Sequence, residues 1–103
     1  MPTYVVTAIT GRLSQEQKSS LAASITKIHC SATGAPAYFA QVLFNDVPEG
    51  DYFIGGKPLT GDILFVHGEI RAGRALEIKQ RIILNILEDA ARITQMEKSH
   101  IQI

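Results

Sequence analysis

At 103 residues the chain has room for one domain and no more. Ten Lys and Arg balance ten Asp and Glu, which excludes a protein built around polyanions, because no global positive field is available to hold them. The 46% hydrophobic content excludes disorder, and a chain this small buries only about two-thirds of its unfolded surface, so association with other copies is favoured.

Thr3 to Ile9 is dense in β-branched and aromatic residues and predicts a strand, which Gly11 ends. Ser14 followed by Gln17 has capping-box spacing. Leu21, Ile25, Ile28 and Ala32 then recur at steps of three and four, the stripe of a helix with one buried face, and Gly34, Ala35 and Pro36 stop it. Tyr38 to Asn45 predicts a second strand. Tyr38, Ala40, Val42 and Phe44 share one face and Phe39, Gln41 and Leu43 the other, so both sides are apolar enough to be covered. From Asp46 to Gly61 turn residues cluster, with Tyr52-Phe53-Ile54 placed for a short edge hairpin. Ile63 to Ile70 predicts a third strand, and Gly73 closes the turn after it. Ile78, Ile82, Ile86, Ala90 and Ile93 mark a second helix from Ala75, and His100 to Ile103 begins a last strand.

The order is β-α-β, a turn region, and β-α-β again. Gly11-Arg12-Leu13 and Gly73-Arg74-Ala75 echo each other between strand and helix. The expected class is α/β, a two-layer α+β sandwich: one four-stranded sheet with both helices on one face. Its bare face then predicts a subunit interface. Cys30 is the only cysteine, so no intrachain disulfide forms and a reducing compartment fits. The start reads as no secretory signal, and no stretch reaches the roughly 18 to 20 apolar residues of a membrane helix. A cytoplasmic protein without membrane or nucleic-acid partners is expected. No His or Cys set has metal-ligand spacing, and no dinucleotide or P-loop motif occurs, so neither metal nor cofactor is expected.

Pro2 is the most informative candidate. If Met1 is removed, its ring nitrogen becomes a free secondary amine. An α-amino group titrates near about 7.7 to 8.0. An apolar pocket and nearby arginines lower that value, which suits a general base. The alternative is a proline that merely opens an edge strand. Arg71 and Arg74 flank Ala72-Gly73 and can converge on one carboxylate, with donors added by the start of the next helix. They can equally be two solvated arginines on a turn. His29, near the end of the first helix, reads by position as a partner of the helix dipole rather than a catalytic group. Cys30 reads as a small buried hydrophobe, His67 as a satisfied sheet histidine and His100 as incidental.

In order and spacing, these segments resemble the tautomerase superfamily, and within it the cis-3-chloroacrylic acid dehalogenase subgroup. The resemblance runs over Met1-Pro2, Ala23 to His29, Thr33-Gly34, Gln41-Val42, Tyr52 to Gly56, Phe65 to Gly68 and Ile70 to Arg74, essentially the whole chain. It implies a tautomerase/MIF-like fold assembled as a homotrimer with an amino-terminal proline at each site. By position, Pro2 would be the general base, Arg71 and Arg74 would bind and polarise a substrate carboxylate, and His29 would bind it too. The subgroup carries a further C-terminal segment with a tyrosine and a water-activating glutamate, and this chain ends at Ile103, about where that segment would begin. The implied activity is therefore enol–keto tautomerisation of a small 2-oxo acid such as phenylpyruvate. Hydration or dehalogenation of a short unsaturated or haloacrylic acid is the alternative, and a non-catalytic ligand-binding module is the third reading.

Overall fold

A computed structural model describes residues 1–103. Strand β1 (Thr3–Ile9) occupies the predicted span, and its alternation is carried into space: Tyr4, Val6 and Ala8 are buried, while Thr3, Val5, Thr7 and Ile9 face the other way. Helix α1 (Gln15–Thr33) starts on the predicted capping box, with the Ser14 hydroxyl accepting from the Gln17 N–H at 3.0 Å and the Gln17 side chain accepting from the Ser14 N–H. It ends where Gly34 turns left-handed (φ 76°) and donates its N–H to the Cys30 carbonyl.

Strand β2 (Gln41–Val47) begins three residues later than the sequence predicts. Ala37–Phe39 instead forms a 3₁₀ turn behind Pro36, with Phe39 donating to the Pro36 carbonyl and Ala40 to that of Ala37. The reason lies in the partner strand. Register pairs Gln41 with Thr3, the first residue of β1, so residues 38–40 have no ladder to join. Within β2 the faces fall as expected, Val42 and Phe44 packing on the core and Leu43 pointing away.

The middle region holds a separate two-stranded hairpin, β3 (Phe53–Ile54) and β4 (Lys57–Pro58), rather than an added edge on the main sheet. Gly55 and Gly56, both at positive φ, supply the two left-handed positions its tight turn demands. Strand β5 (Leu64–Glu69), helix α2 (Leu76–Thr94) and β6 (Ile101–Gln102) form the second unit. A 3₁₀ turn over Lys98–His100 shortens the last strand.

The sheet order is β2-β1-β5-β6. β1 runs parallel to β2 and β5 parallel to β6, and the two units meet antiparallel between β1 and β5. Both helices pack on one face. Leu21, Ile25 and Ile28 from α1, and Ile82, Ile86 and Ala90 from α2, interlock with Tyr4, Val6, Ala8, Leu64 and Val66 from the sheet. Each large apolar side chain so buried contributes roughly 1.5–3 kcal/mol. The other face is left uncovered, with Leu43 50% and Phe65 36% exposed. No helix is long and apolar enough to cross a membrane.

Candidate active site

The antiparallel register between β1 and β5 pairs Thr3 with Glu69, which brings the start of one strand beside the end of the other. The C-terminal end of α1 and the turn leading into α2 close around the same place. Together they enclose a cleft of about 770 Å³ whose lining includes Pro2, His29, Phe39, Glu69, Arg71 and Arg74. All four residues singled out from the sequence therefore converge, although they span residues 2 to 74. Gly73, at φ 91°, reverses the turn between the two arginines, a conformation that side chains with a Cβ avoid. Arg71 is exposed and Arg74 half-buried. The lining runs as far as Arg74 and includes no residue of α2 itself.

His29 is not the helix-dipole partner that its position suggests. It is only 1% exposed, and the hydroxyl of Tyr4, itself 2% exposed, lies 2.8 Å from its Nδ1. The two rings meet edge-on, 5.7 Å between centroids. Burial, then the nearby Arg74 charge, lowers the His29 pKa, so a cationic interaction with the helix dipole is disfavoured. Burial likewise pushes the Tyr4 phenol up to about 12, against the opposing charge of Arg74. Two buried nitrogens have no partner within the chain, His29 Nε2 and Arg74 Nε, and both residues line this cleft. Unpartnered buried polar atoms are uncommon because each costs about 1–3 kcal/mol. A pair of them at one cleft marks a place built for an acceptor.

At Pro2 the backbone is anchored, its carbonyl accepting from the Gln41 N–H at 2.9 Å. With Met1 attached, the Pro2 nitrogen is an amide and has no basicity. Phe39 supplies an apolar wall from the 3₁₀ turn. Tyr4, Phe39 and Glu69 escaped sequence reasoning. Tyr4 carried a usable signal, since a tyrosine at an inward strand position needs a partner for its hydroxyl. Glu69 is the one carboxylate of the lining and approaches His67 at 3.4 Å. His67 itself lies exposed on the bare sheet face rather than satisfied within the sheet, and Cys30 is only partly buried. His100 sits in the second 3₁₀ turn, outside the cleft. No group of three His, Cys, Asp or Glu side chains comes together anywhere in the fold. A second cavity, of about 530 Å³ beside Gly11 and Gly61, already has its arginine paired: Arg12 contacts Asp62 at 2.7 Å.

Residues 1–101 match the model of the family Tautomerase_3, described as "Putative oxalocrotonate tautomerase enzyme". A probable tautomerase of Streptococcus pneumoniae serotype 4 is 40% identical over 60 residues, 58% of this chain and 98% of that protein. Among solved structures, native Ps01740 is 33% identical with a TM-score of 0.90, over 96% of this chain and 87% of that one. N1, a member of the cis-3-chloroacrylic acid dehalogenase family, is 28% identical with a TM-score of 0.92, over 97% of this chain and 70% of its own. The chain belongs to the Tautomerase_3 family and is an isomerase of the tautomerase type.

Proposed function

We propose that the protein tautomerises small 2-oxo acids between enol and keto forms, with Pro2 as the general base once Met1 has been removed. The observation that carries this reading is the pair of unpartnered buried nitrogens, His29 Nε2 and Arg74 Nε, in the cleft that Pro2 lines. A carboxylate presents two acceptor oxygens and a negative charge, which suits an arginine fork and a neighbouring N–H. Arg71 adds a second cation at the mouth. Held there, an enol acid has its 2-hydroxyl and C3 on the side of the cleft that Pro2 lines. The Pro2 amine takes the 2-hydroxyl proton and, as the resulting ammonium, returns that proton to C3, so the proton count balances and no cofactor is needed. The guanidiniums disfavour a second positive charge on the amine and keep it available as a base. Phe39 offers the apolar side chain of an aryl substrate a surface to lie against.

The assay is ketonisation of phenylenolpyruvate by wild type, Pro2→Ala and Arg71→Ala, with loss of Met1 established by intact mass. Full activity in processed Pro2→Ala would refute the role of proline. Retention of Met1 with no saturable turnover would leave a ligand-binding module. The exposed Leu43 and Phe65 on the helix-free face support a homo-oligomer, and we place it as a homotrimer in the cytoplasm by resemblance to the superfamily.

A further inference from the structure

We infer that Tyr4 is a positioning residue that holds His29 as an imidazole with its one N–H on Nε2, presented to the cleft as a donor, and that Gly68 exists to make room for the Tyr4 ring. The inference follows from contacts within the chain; only the identity of the acceptor, a carboxylate oxygen, rests on the function proposed above.

Three observations carry it. The Tyr4 hydroxyl makes one side-chain contact, at 2.8 Å to His29 Nδ1, and both residues are almost fully buried. If Nδ1 carried the proton, the phenol O–H would be left without an acceptor in an apolar core; if the phenol donates, its proton is satisfied and Nδ1 is the acceptor. Second, His29 Nε2 and Arg74 Nε both stay unpartnered, although both residues line the cleft. An Arg Nε–H can only donate. With Nδ1 taken up by the Tyr4 hydroxyl, an N–H on His29 Nε2 is likewise a donor that awaits an acceptor from outside the chain. Third, a Cβ built on Gly68 would lie 2.6 and 2.8 Å from Tyr4 ring carbons, closer than real Cβ contacts come. Register sets Gly68 directly opposite Tyr4, so the ring lies across the glycine on its way to His29. Any other residue at 68 would move the ring.

The groups that bear on the His29 charge are Tyr4 from β1, Cys30 beside it on α1 and Arg74 and Arg71 from the turn before α2. Glu69 from β5 and, once freed, the Pro2 amine line the same cleft, and of all these groups it is Arg74 that lowers the His29 pKa beside burial. The Tyr4 phenol, pushed up to about 12, keeps its proton throughout the working range. A donor aimed at Nδ1 favours the neutral ring, in the same direction as burial and the Arg74 charge. His29 is thereby a donor whose state does not change near neutral pH, unlike an ordinary surface histidine.

The test is long-range ¹H–¹⁵N NMR on protein with ¹⁵N-labelled histidine, recorded through a pH series for wild type, Tyr4→Phe and Gly68→Ala. Wild-type His29 should show a protonated Nε2 and a bare Nδ1, with no titration at its ordinary value of 6.5. Tyr4→Phe, which keeps the ring and removes only the oxygen, should mix the tautomers and raise the His29 midpoint by about half a unit to one unit. In the phenylenolpyruvate assay it should raise KM about five- to tenfold while kcat changes little. Gly68→Ala should disturb the same His29 signals. A wild-type Nδ1–H tautomer, or Tyr4→Phe signals indistinguishable from wild type, overturns the inference even if no variant is compared kinetically. Unperturbed His29 signals in Gly68→Ala overturn the role given to the glycine. The NMR result stands whether or not phenylenolpyruvate is turned over, so its failure is separable from failure of the tautomerase reading.

Discussion

Arg71 and Arg74 look equivalent in the sequence, and the structure makes them unequal. Arg74 is half-buried with a hidden, unpartnered Nε, whereas Arg71 is exposed. Replacement of each by lysine keeps the charge and removes the planar fork. At Arg74 the loss is a charge-assisted hydrogen bond in a poorly solvated place, worth about 1.5–3 kcal/mol, or roughly 10- to 150-fold in KM for the carboxylate substrate. At Arg71 water competes for the same contact, and an exposed ion pair is worth about 0.2–1 kcal/mol, so KM should rise less than about fivefold. Steady-state ketonisation of phenylenolpyruvate by the two lysine variants, with Met1 loss checked by mass and folding by circular dichroism, measures both. Arg74→Lys within about twofold of wild type, or a larger effect at Arg71, would refute the claim that burial decides which arginine binds.

Ile86 is 1% exposed at the centre of α2, and Ile86→Ala should cost about 2–5 kcal/mol, read as a lower urea midpoint with an unchanged m-value. Ser14→Ala removes the hydroxyl that accepts from Gln17, and about 1 kcal/mol of stability should go with it. Acid should destabilise the fold in two stages. Below about 6.5 the unfolded chain binds a proton at His29 that the native ring refuses, so stability falls with pH; His29→Gln should flatten this stage. Below 3.8 the Asp62 carboxyl, held down chiefly by its hydrogen bond from Arg12, begins to take up its proton in the unfolded chain first; Arg12→Ala should remove that stage. Leu43→Glu, midway along edge strand β2 on the bare sheet face, should shift the mass measured by sedimentation toward the monomer, and an unchanged mass would place the association surface elsewhere.

Much of the fold could be read before any coordinates. Strand β1 announces itself through alternation, because a pleated strand sends every second side chain to the core. The helices show Leu21-Ile25-Ile28 and Ile82-Ile86-Ala90, because a 3.6-residue turn returns those positions to one face. The Ser14–Gln17 cap and the Gly34 stop are likewise local, each settled by atoms a few residues apart.

What local pattern could not decide was set by pairing between distant segments. Whether residues 38–40 are strand depended on β1 having a residue to pair with them, and it has none. The likeness between the two β-α-β units suggested a sheet, but hydrogen bonds placed β1 against β5 in antiparallel register and so laid Pro2 near Arg71 and Arg74. His29 is the clearest case. By sequence position it is a helix-end partner of the dipole; in the fold, Tyr4, 25 residues away in the chain, meets it in the core. Sequence alone determined which side chains could do chemistry and which faces they would occupy, because period and capping are properties of neighbouring residues. Tertiary structure decided which of them meet and in what protonation state, because burial, register and the cost of an unpaired polar atom exist only once distant segments are packed together.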